Sequence, residues 1–253
     1  MNSELGIILQ ARTGSTRLPN KMVMPFYKDR TIPQILIERI SKAYPELPII
    51  LATTTHEIDD DLVSSVSNLN CDIFRGSENN VLNRFIEAAN KHNFKHVIRV
   101  CADNPFIDIS LIDTLIQNWK SDYDYLSFKI NGKPSMKIGL GLFTEIVSLN
   151  ALEATSIQTS EKLYLEHVTN FIYRDGSPFK VNWVTPPQVI LMNDGLRLTV
   201  DTKEDFEVAQ KIFLQLQESE VTWGFEEIIT FVNAHDELIR KMDIQKNHEK
   251  NAK

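Results

Sequence analysis

Residues 10–21 read Gln-Ala-Arg-Thr-Gly-Ser-Thr-Arg-Leu-Pro-Asn-Lys and concentrate the chain's most evident chemistry in one short stretch. Arg12 and Arg17 offer planar, multi-donor cations suited to phosphate oxygens, and Lys21 adds a compact point charge. Gly14 allows backbone geometry closed to other residues and leaves room for a ligand. The N–H groups around Gly14, Ser15 and Thr16 are expected to form an anion-binding nest, with Gln10 and Ala11 leading into it. Pro19 stiffens the approach to Lys21, which is expected to serve chemistry more than folding. The segment is neither a GxxxxGK[ST] phosphate loop nor a GxGxxG loop. A solvated loop with surface cations is the plainer alternative, against which the density of charge directly after an apolar run argues.

Carboxylates supply the second element. Asp103 follows the apolar run 96–101, and Asp201 ends the run 196–200. Two carboxylates at one sheet edge suit Mg²⁺, a hard cation that prefers oxygen ligands and retains waters. Each also has an ordinary role open to it: Asp103 to open a turn before Pro105, Asp201 to cap the helix that follows. Arg75-Gly76-Ser77 is either a ligand-facing turn or a plain one with an exposed arginine. Glu166 and His167 are adjacent, so on a helix they point about 100° apart and cannot form a two-ligand metal face. A buried pair and a sugar contact both remain open for them. The loop carrying Gly139 and Gly141 closes on a substrate, forms a hairpin or makes a subunit contact. His92, His96, His235 and His248 have no companions that suggest a site, and Phe85, Phe94, Trp119 and Phe171 fall at core-like positions.

These groups need a scaffold. Short apolar runs at 5–9, 47–53, 71–74 and 96–101 predict buried strands, alternating with helices over 32–43, 58–69, 81–92 and 109–119. That alternation predicts an α/β fold with a mainly parallel, Rossmann-like sheet flanked by helices. Ligands then sit beyond the carboxyl ends of the strands, near a switch point in strand order. That rule selects the loops 10–21, 53–61, 75–80 and 102–108. Further strands are expected at 123–128, 179–184 and 196–200, a loop or hairpin over 129–142, and helices at 163–173, 203–216 and 224–234. Residues 1–235 form one domain, with 129–175 as a smaller substrate and dimerisation subregion. From 236 the chain reads as a polar, lysine-rich tail whose last ten or so residues are frayed.

Composition narrows the class. The chain has 253 residues, with 42% hydrophobic and 24% charged residues, as in a globular protein. A net charge of −7 argues against a nucleic-acid partner, since a phosphate backbone calls for a basic footprint. No apolar run approaches the roughly 20 residues that cross a bilayer, and Met1-Asn2-Ser3-Glu4 lacks the basic start of a secretory signal. Cys71 and Cys101 sit in apolar stretches and read as reduced thiols, so a cytoplasmic protein without a membrane partner is expected.

Residues 10–21 resemble the QAR-x-GSTRLP-x-K opening of the cytidylyltransferase superfamily, which includes the ketodeoxyoctulosonate and acylneuraminate cytidylyltransferases. The spore-coat polysaccharide branch is nearest in wording. The likeness runs through Leu51-Ala52-Thr53-Thr54 with Asp60-Asp61, Phe74-Arg75-Gly76-Ser77-Glu78, Arg99, and Asp103-x-Pro105-x-Ile107-Asp108. It continues to Glu166-His167-Val168-Thr169 and Leu196-Arg197-Leu198-Thr199-Val200-Asp201, spanning roughly residues 5–208 in order. Ala102 replaces the usual glycine, Asn104 follows the first aspartate, and Asn80 stands where that branch has an acid.

The resemblance implies transfer of CMP from CTP to a sugar or sugar acid, with pyrophosphate released, for surface polysaccharide or glycoconjugate synthesis. It implies Mg²⁺ on Asp103 and Asp201, charge stabilisation by Lys21 and Arg12, and a hold on pyrophosphate by Arg17. It further implies base and ribose contacts near Arg75 and Ser77, acceptor contacts near Glu166 and His167, and a homodimer. Rival readings are a sugar-1-phosphate nucleotidyltransferase using another base, a glycosyltransferase taking an activated nucleotide sugar, and a non-catalytic nucleotide-binding protein. A glycosyltransferase calls for a DxD motif, which only Asp122-Tyr123-Asp124 fits.

Overall fold

The computed structural model describes residues 4–219 and 222–251. The start of the chain at 1–3, read above for a secretory signal, lies outside these, as do 252–253 of the expected frayed end. Strand β1 (Leu5–Gln10) lies between β2 (Ile49–Thr54) and β4 (His96–Cys101), parallel to both, and β3 (Asp72–Gly76) adds parallel to β2. Beyond β4 the sheet continues through β7 (Glu145–Ser148), β5 (Tyr125–Ile130) and the short β6 (Lys133–Pro134), while β8 (Val181–Val184) pairs with β5. Only β7 and β6 run against the common direction. This is the expected mainly parallel α/β sheet.

Why these runs form central strands follows from their lack of a polar face. Ile7, Ile8 and Leu9 are all fully buried, Ile7 and Leu9 in one layer of core and Ile8 in the other. Alternate residues of a strand point to opposite faces, so a strand buried on both sides must be apolar throughout. The first layer packs α1 (Ile32–Ala43), α2 (Asp60–Val66), α4 (Ile109–Asn118), α8 (Lys203–Glu218) and α9 (Phe225–Asn233). The second packs α3 (Val81–Lys91) and α5 (Leu149–Gln158).

Several helix starts are fixed by side chains that satisfy free N–H groups. Thr31 and Gln34 form a capping box on α1, and Asp108 caps α4 by accepting from Leu111 N at 3.1 Å. Asn80, the residue that replaces an expected acid, caps α3 through Asn83 N at 2.9 Å.

Three expectations are corrected. Residues 196–200 form no strand; Leu198 N and Thr199 N donate to Gly139 O, and Val200 N to Asp103 O, as isolated links. The helix expected over 163–173 is the short α6 (Lys162–Glu166), after which Val168 and Ile172 turn into the core. The loop after α6 and β8 also holds a one-turn helix, α7 (Gln188–Leu191). The polar tail is instead α10 (Asp236–Asn251), anchored by Leu238 and Met242 in the first core layer. No helix among the described residues is long and apolar enough to cross a membrane.

Candidate active site

Because β1 continues on one side to β2 and on the other to β4, the order reverses at β1, and the crevice rule directs attention to its carboxyl end. There Gln10 pairs in register with Cys101, so the loops after β1 and β4 leave the sheet side by side. The first loop is folded on itself: Ser15 N donates to Thr13 O at 2.7 Å, Asn20 N to the same carbonyl at 3.3 Å, and Leu18 N to Ser15 Oγ at 3.4 Å. The left-handed turn falls on Asn20, with φ of 62°, and not on Gly14. A Cβ at Gly14 would meet only Glu78 Oε1, at 3.8 Å, so this glycine keeps space open but is not required by the backbone. The Ser15 N–H, spent on Thr13, is lost to the expected nest.

Asp59 fixes this loop from below. It ends a 3-10 turn (Glu57–Asp59), is fully buried, and accepts from Thr13 N at 2.6 Å through Oδ1. Its Oδ2 accepts from Thr53 Oγ1 at 2.9 Å, Thr54 N at 3.1 Å and Thr54 Oγ1 at 2.5 Å. Burial pushes its carboxyl up, but the hydrogen bonds from Thr54, the Thr13 main chain and Thr53 outweigh this and hold it below the usual carboxylate value.

The cleft above the sheet edge has two lobes. The smaller, of about 320 Å³, is lined by the first loop, and the larger, of about 920 Å³, by residues from 135–143, 167–173 and 197–202. Arg17, Arg99, Cys101, Asp103, His167 and Asp201 line both and mark the junction. At that junction Asp201 is ringed by cations. Its Oδ1 accepts from Arg17 Nη2 at 2.7 Å and lies 3.8 Å from Lys21 Nζ; its Oδ2 accepts from Arg197 Nη2 at 3.1 Å. Lys21 is itself buried and donates to Val200 O at 2.7 Å.

Asp201 does not cap α8. Thr202 does, and Asp205 completes the capping box while accepting Arg197 in a two-point pair at 2.9 and 3.0 Å. Burial raises the Asp205 carboxyl, and Arg197 with the Thr202 and Asp201 main-chain N–H groups lowers it further than burial lifts it. Asp103 behaves in the opposite way. Burial raises its carboxyl above the usual value; Lys21 pulls it down, Asp201 pushes it up, and Arg99 pulls it down again. The Cys101 thiol, half-buried at the junction, is pushed up to about 12 by desolvation and is no nucleophile at neutral pH.

Gln10, Ala11, Arg12, Gly14, Ser15 and Glu166 line the smaller lobe, with Arg12 Nη2 3.4 Å from Glu166 Oε1. Gly141 lines the larger one; at φ of 68° its Cβ position lies 2.9 Å from main-chain atoms of Leu198 and Thr199, so glycine is needed there. Arg75 and Ser77 do not line either lobe. Arg75 is spent on Thr54 O, His56 O and Asp60, and Ser77 Oγ accepts from Asn80 N. Arg99 had no role in the sequence beyond its place in the motif series. It is the cross-strand partner of Glu145 at 2.6 Å and reaches Gln10 Oε1 at 3.1 Å. Its signal was an arginine inside an otherwise apolar strand. Asp59 left none, being one of three consecutive aspartates.

The comparisons bear on this arrangement. A cytidylyltransferase family model matches residues 6–249. The chain belongs to the cytidylyltransferase family. An uncharacterized protein of Methanocaldococcus jannaschii is 37% identical over 234 residues, covering 91% of each chain. The spore coat polysaccharide biosynthesis protein SpsF of Bacillus subtilis is 33% identical over 239 residues, covering 91% of this chain and 95% of its own. A cytidylyltransferase structure from Leptospira borgpetersenii superposes with a TM-score of 0.82 at 24% identity, covering 94% of this chain and 97% of its own. A CMP:2-keto-3-deoxy-manno-octonic acid synthetase complexed with CTP gives 0.60 at 16% identity, covering 84% and 99%. These last two share the fold.

Membership of the cytidylyltransferases makes a nucleotidyltransferase enzyme of the chain and raises the question of its metal. Among the described residues no group of three or more metal-ligating side chains gathers. The available donors at the junction are the oxygens of Asp103 and Asp201, close enough for Asp201 to push up the Asp103 carboxyl. Two hard oxygen donors beside a lobe lined by Arg12, Arg17 and Lys21 fit Mg²⁺, which is commonly held by one or two carboxylates plus substrate phosphates and water.

Proposed function

We propose that this cytidylyltransferase transfers CMP from CTP to a sugar or sugar acid and releases pyrophosphate. The observation that carries the reading is the meeting of a cationic loop and two carboxylates at the junction of a smaller and a larger lobe. The triphosphate lies along Arg12, Arg17 and Lys21, and the acceptor enters from the larger lobe. An acceptor oxygen attacks the α-phosphorus in line. The new bond joins that oxygen to phosphorus, its proton passes to solvent, the bond from the α-phosphorus to the bridging oxygen breaks, and pyrophosphate leaves with that electron pair. Such a reaction asks mainly for positioning and charge neutralisation from the protein. Lys21 and Arg12 stabilise the charge that develops on the transferred group, and Arg17 holds the pyrophosphate portion. Asp103 and Asp201 would hold Mg²⁺, which supplies further neutralisation of phosphate charge. The likeness to SpsF supports a product destined for surface polysaccharide. The 129–175 subregion is assigned to the acceptor and to a homodimer contact.

The test is a melting-temperature series with CTP, ATP, GTP and UTP, each with Mg²⁺. Binding to the folded state raises the melting temperature, and at equal concentration the tighter ligand raises it more. CTP is expected to give the largest shift, followed by acceptor-dependent pyrophosphate release with sugar acids. Equal shifts from all four nucleotides remove cytosine selectivity while leaving phosphate binding intact.

A further inference from the structure

We infer that Gln245, on the C-terminal helix α10, is a specificity-determining residue that hydrogen-bonds the acceptor in the larger lobe; the inference rests on the acceptor occupying that lobe. Leu238 and Met242 define the buried stripe of α10, and Gln245 is the next residue on that face, at the i, i+4, i+7 spacing. A polar residue continuing an apolar stripe is costly unless the stripe has left the core. Here it has, because Gln245 lines the larger lobe.

The helix that carries it is clasped to the segment bearing Asp201. Arg197 N donates to Met242 Sδ at 3.5 Å, and Lys246 Nζ donates to Gly195 O. The amide itself is oriented by Thr202. The Thr202 hydroxyl accepts from Asp205 N at 3.2 Å, which directs its proton outward, and it donates to Gln245 Oε1 at 3.4 Å. With Oε1 committed to Thr202, the two N–H donors of Nε2 are what the side chain has to offer the lobe.

That chemistry suits a neutral or anionic oxygen on a polyhydroxylated acceptor, such as a hydroxyl, an acyl carbonyl or one carboxylate oxygen. A site built to donate to a substrate oxygen discriminates against analogues that lack it. Gln245 therefore acts on which acceptor is taken, apart from the cations and carboxylates at the junction that handle phosphate.

The experiment measures pyrophosphate release from CTP and Mg²⁺ with N-acetylneuraminate and with 2-keto-3-deoxy-manno-octonate as probes, in the full chain. With whichever probe the wild type turns over, Gln245→Ala is expected to raise the acceptor KM about tenfold, on the order of one hydrogen bond. The KM for CTP and the melting temperature stay unchanged. Gln245→Glu keeps the size but removes the donors, and is expected to raise the acceptor KM at least as far. Lys246→Ala loosens the clasp without touching the amide, and is expected to lower the melting temperature with no shift in acceptor KM. Equal acceptor KM in wild type and both Gln245 variants overturns the inference and leaves the proposed reaction standing. Failure of the wild type with both probes overturns the sugar-acid reading, and the inference with it.

Discussion

The Lys21 ammonium donates to the main-chain carbonyl of Val200 at 2.7 Å, joining the loop after β1 to the residue before Asp201. The two lie 179 positions apart in the chain, so this contact closes the site across the whole fold. It also changes what Lys21 is for. Its place in the sequence suggests a lysine that serves chemistry more than folding, yet it is 6% exposed and satisfies a buried carbonyl that no strand ladder reaches.

Lys21→Ala is accordingly expected to fail twice. Turnover at saturating CTP falls by roughly 10²–10³, the usual worth of a charge aimed at developing negative charge. Stability falls as well, by about 1–3 kcal/mol, because the Val200 carbonyl is left buried without a donor. Lys21→Arg keeps a donor and a charge but not the compact shape, and recovers stability more fully than turnover. Melting curves and saturating-CTP rates on both variants check this, and an alanine variant with wild-type turnover removes Lys21 from the chemistry.

Asp59 links the loop to pH. Its carboxyl and that of Asp205 both titrate below their ordinary value in the folded protein, so folding favours their ionised forms. The stabilisation they bring is complete above the unfolded-state value near 4 and is lost as pH falls through the depressed native values. Asp59→Asn sets an amide NH₂ among donors from Thr13, Thr53 and Thr54, and is expected to cost about 1–3 kcal/mol at neutral pH. It is also expected to weaken CTP binding through the displaced loop, and to flatten the acid limb of the stability profile. A melting-temperature series from pH 3 to pH 7 on both proteins reads each effect; parallel acid limbs would show that Asp59 contributes none of the pH dependence.

The sequence revealed the strands that read as apolar runs between polar residues and hid the short β7. Residues 5–9 and 96–101 announce themselves because parallel strands covered on both sides must be apolar. β7 is four residues long and begins with Glu145, whose charge is tolerable only because Arg99, Thr169 and Tyr125 all bond to it. None of those partners is near it in sequence. Residues 196–200 mislead in the other direction: Leu196, Leu198 and Val200 alternate as in a strand, but the backbone bonds they make are single links to Gly139 and Asp103. For α10, the lysines and acids of 236–251 outweigh Leu238 and Met242 in any compositional count, although those two seat the helix in the core. Site residues at strand ends were legible for the same reason as the strands. Asp59, Arg197 and Gln245 act through contacts that only the fold creates.

The carboxylate Asp201 has both oxygens occupied by arginines, and the two arginines differ in how readily they give way. Arg197 is buried and also pinned to Asp205, whereas the Arg17 side chain is 54% exposed. A divalent ion approaching Oδ1 meets Arg17 at 2.7 Å and Lys21 at 3.8 Å, and its charge adds repulsion against cations already drawn to that oxygen. A triphosphate that draws Arg17 toward itself removes this obstacle, so metal and nucleotide should bind cooperatively. In nucleotide-free protein, Mn²⁺ titrated as a probe and followed by its spin-resonance signal is expected to bind weakly to the wild type. Arg17→Ala is expected to bind it about tenfold more tightly, the effect of relieving roughly 1.4 kcal/mol of repulsion. Adding Asp201→Asn or Asp103→Asn to that variant should abolish the gain, and removing both carboxylates should cost little more than removing one, because they act as a unit. An unchanged Mn²⁺ affinity in Arg17→Ala refutes the competition. A gain that survives Asp201→Asn moves the ion away from Asp201 altogether.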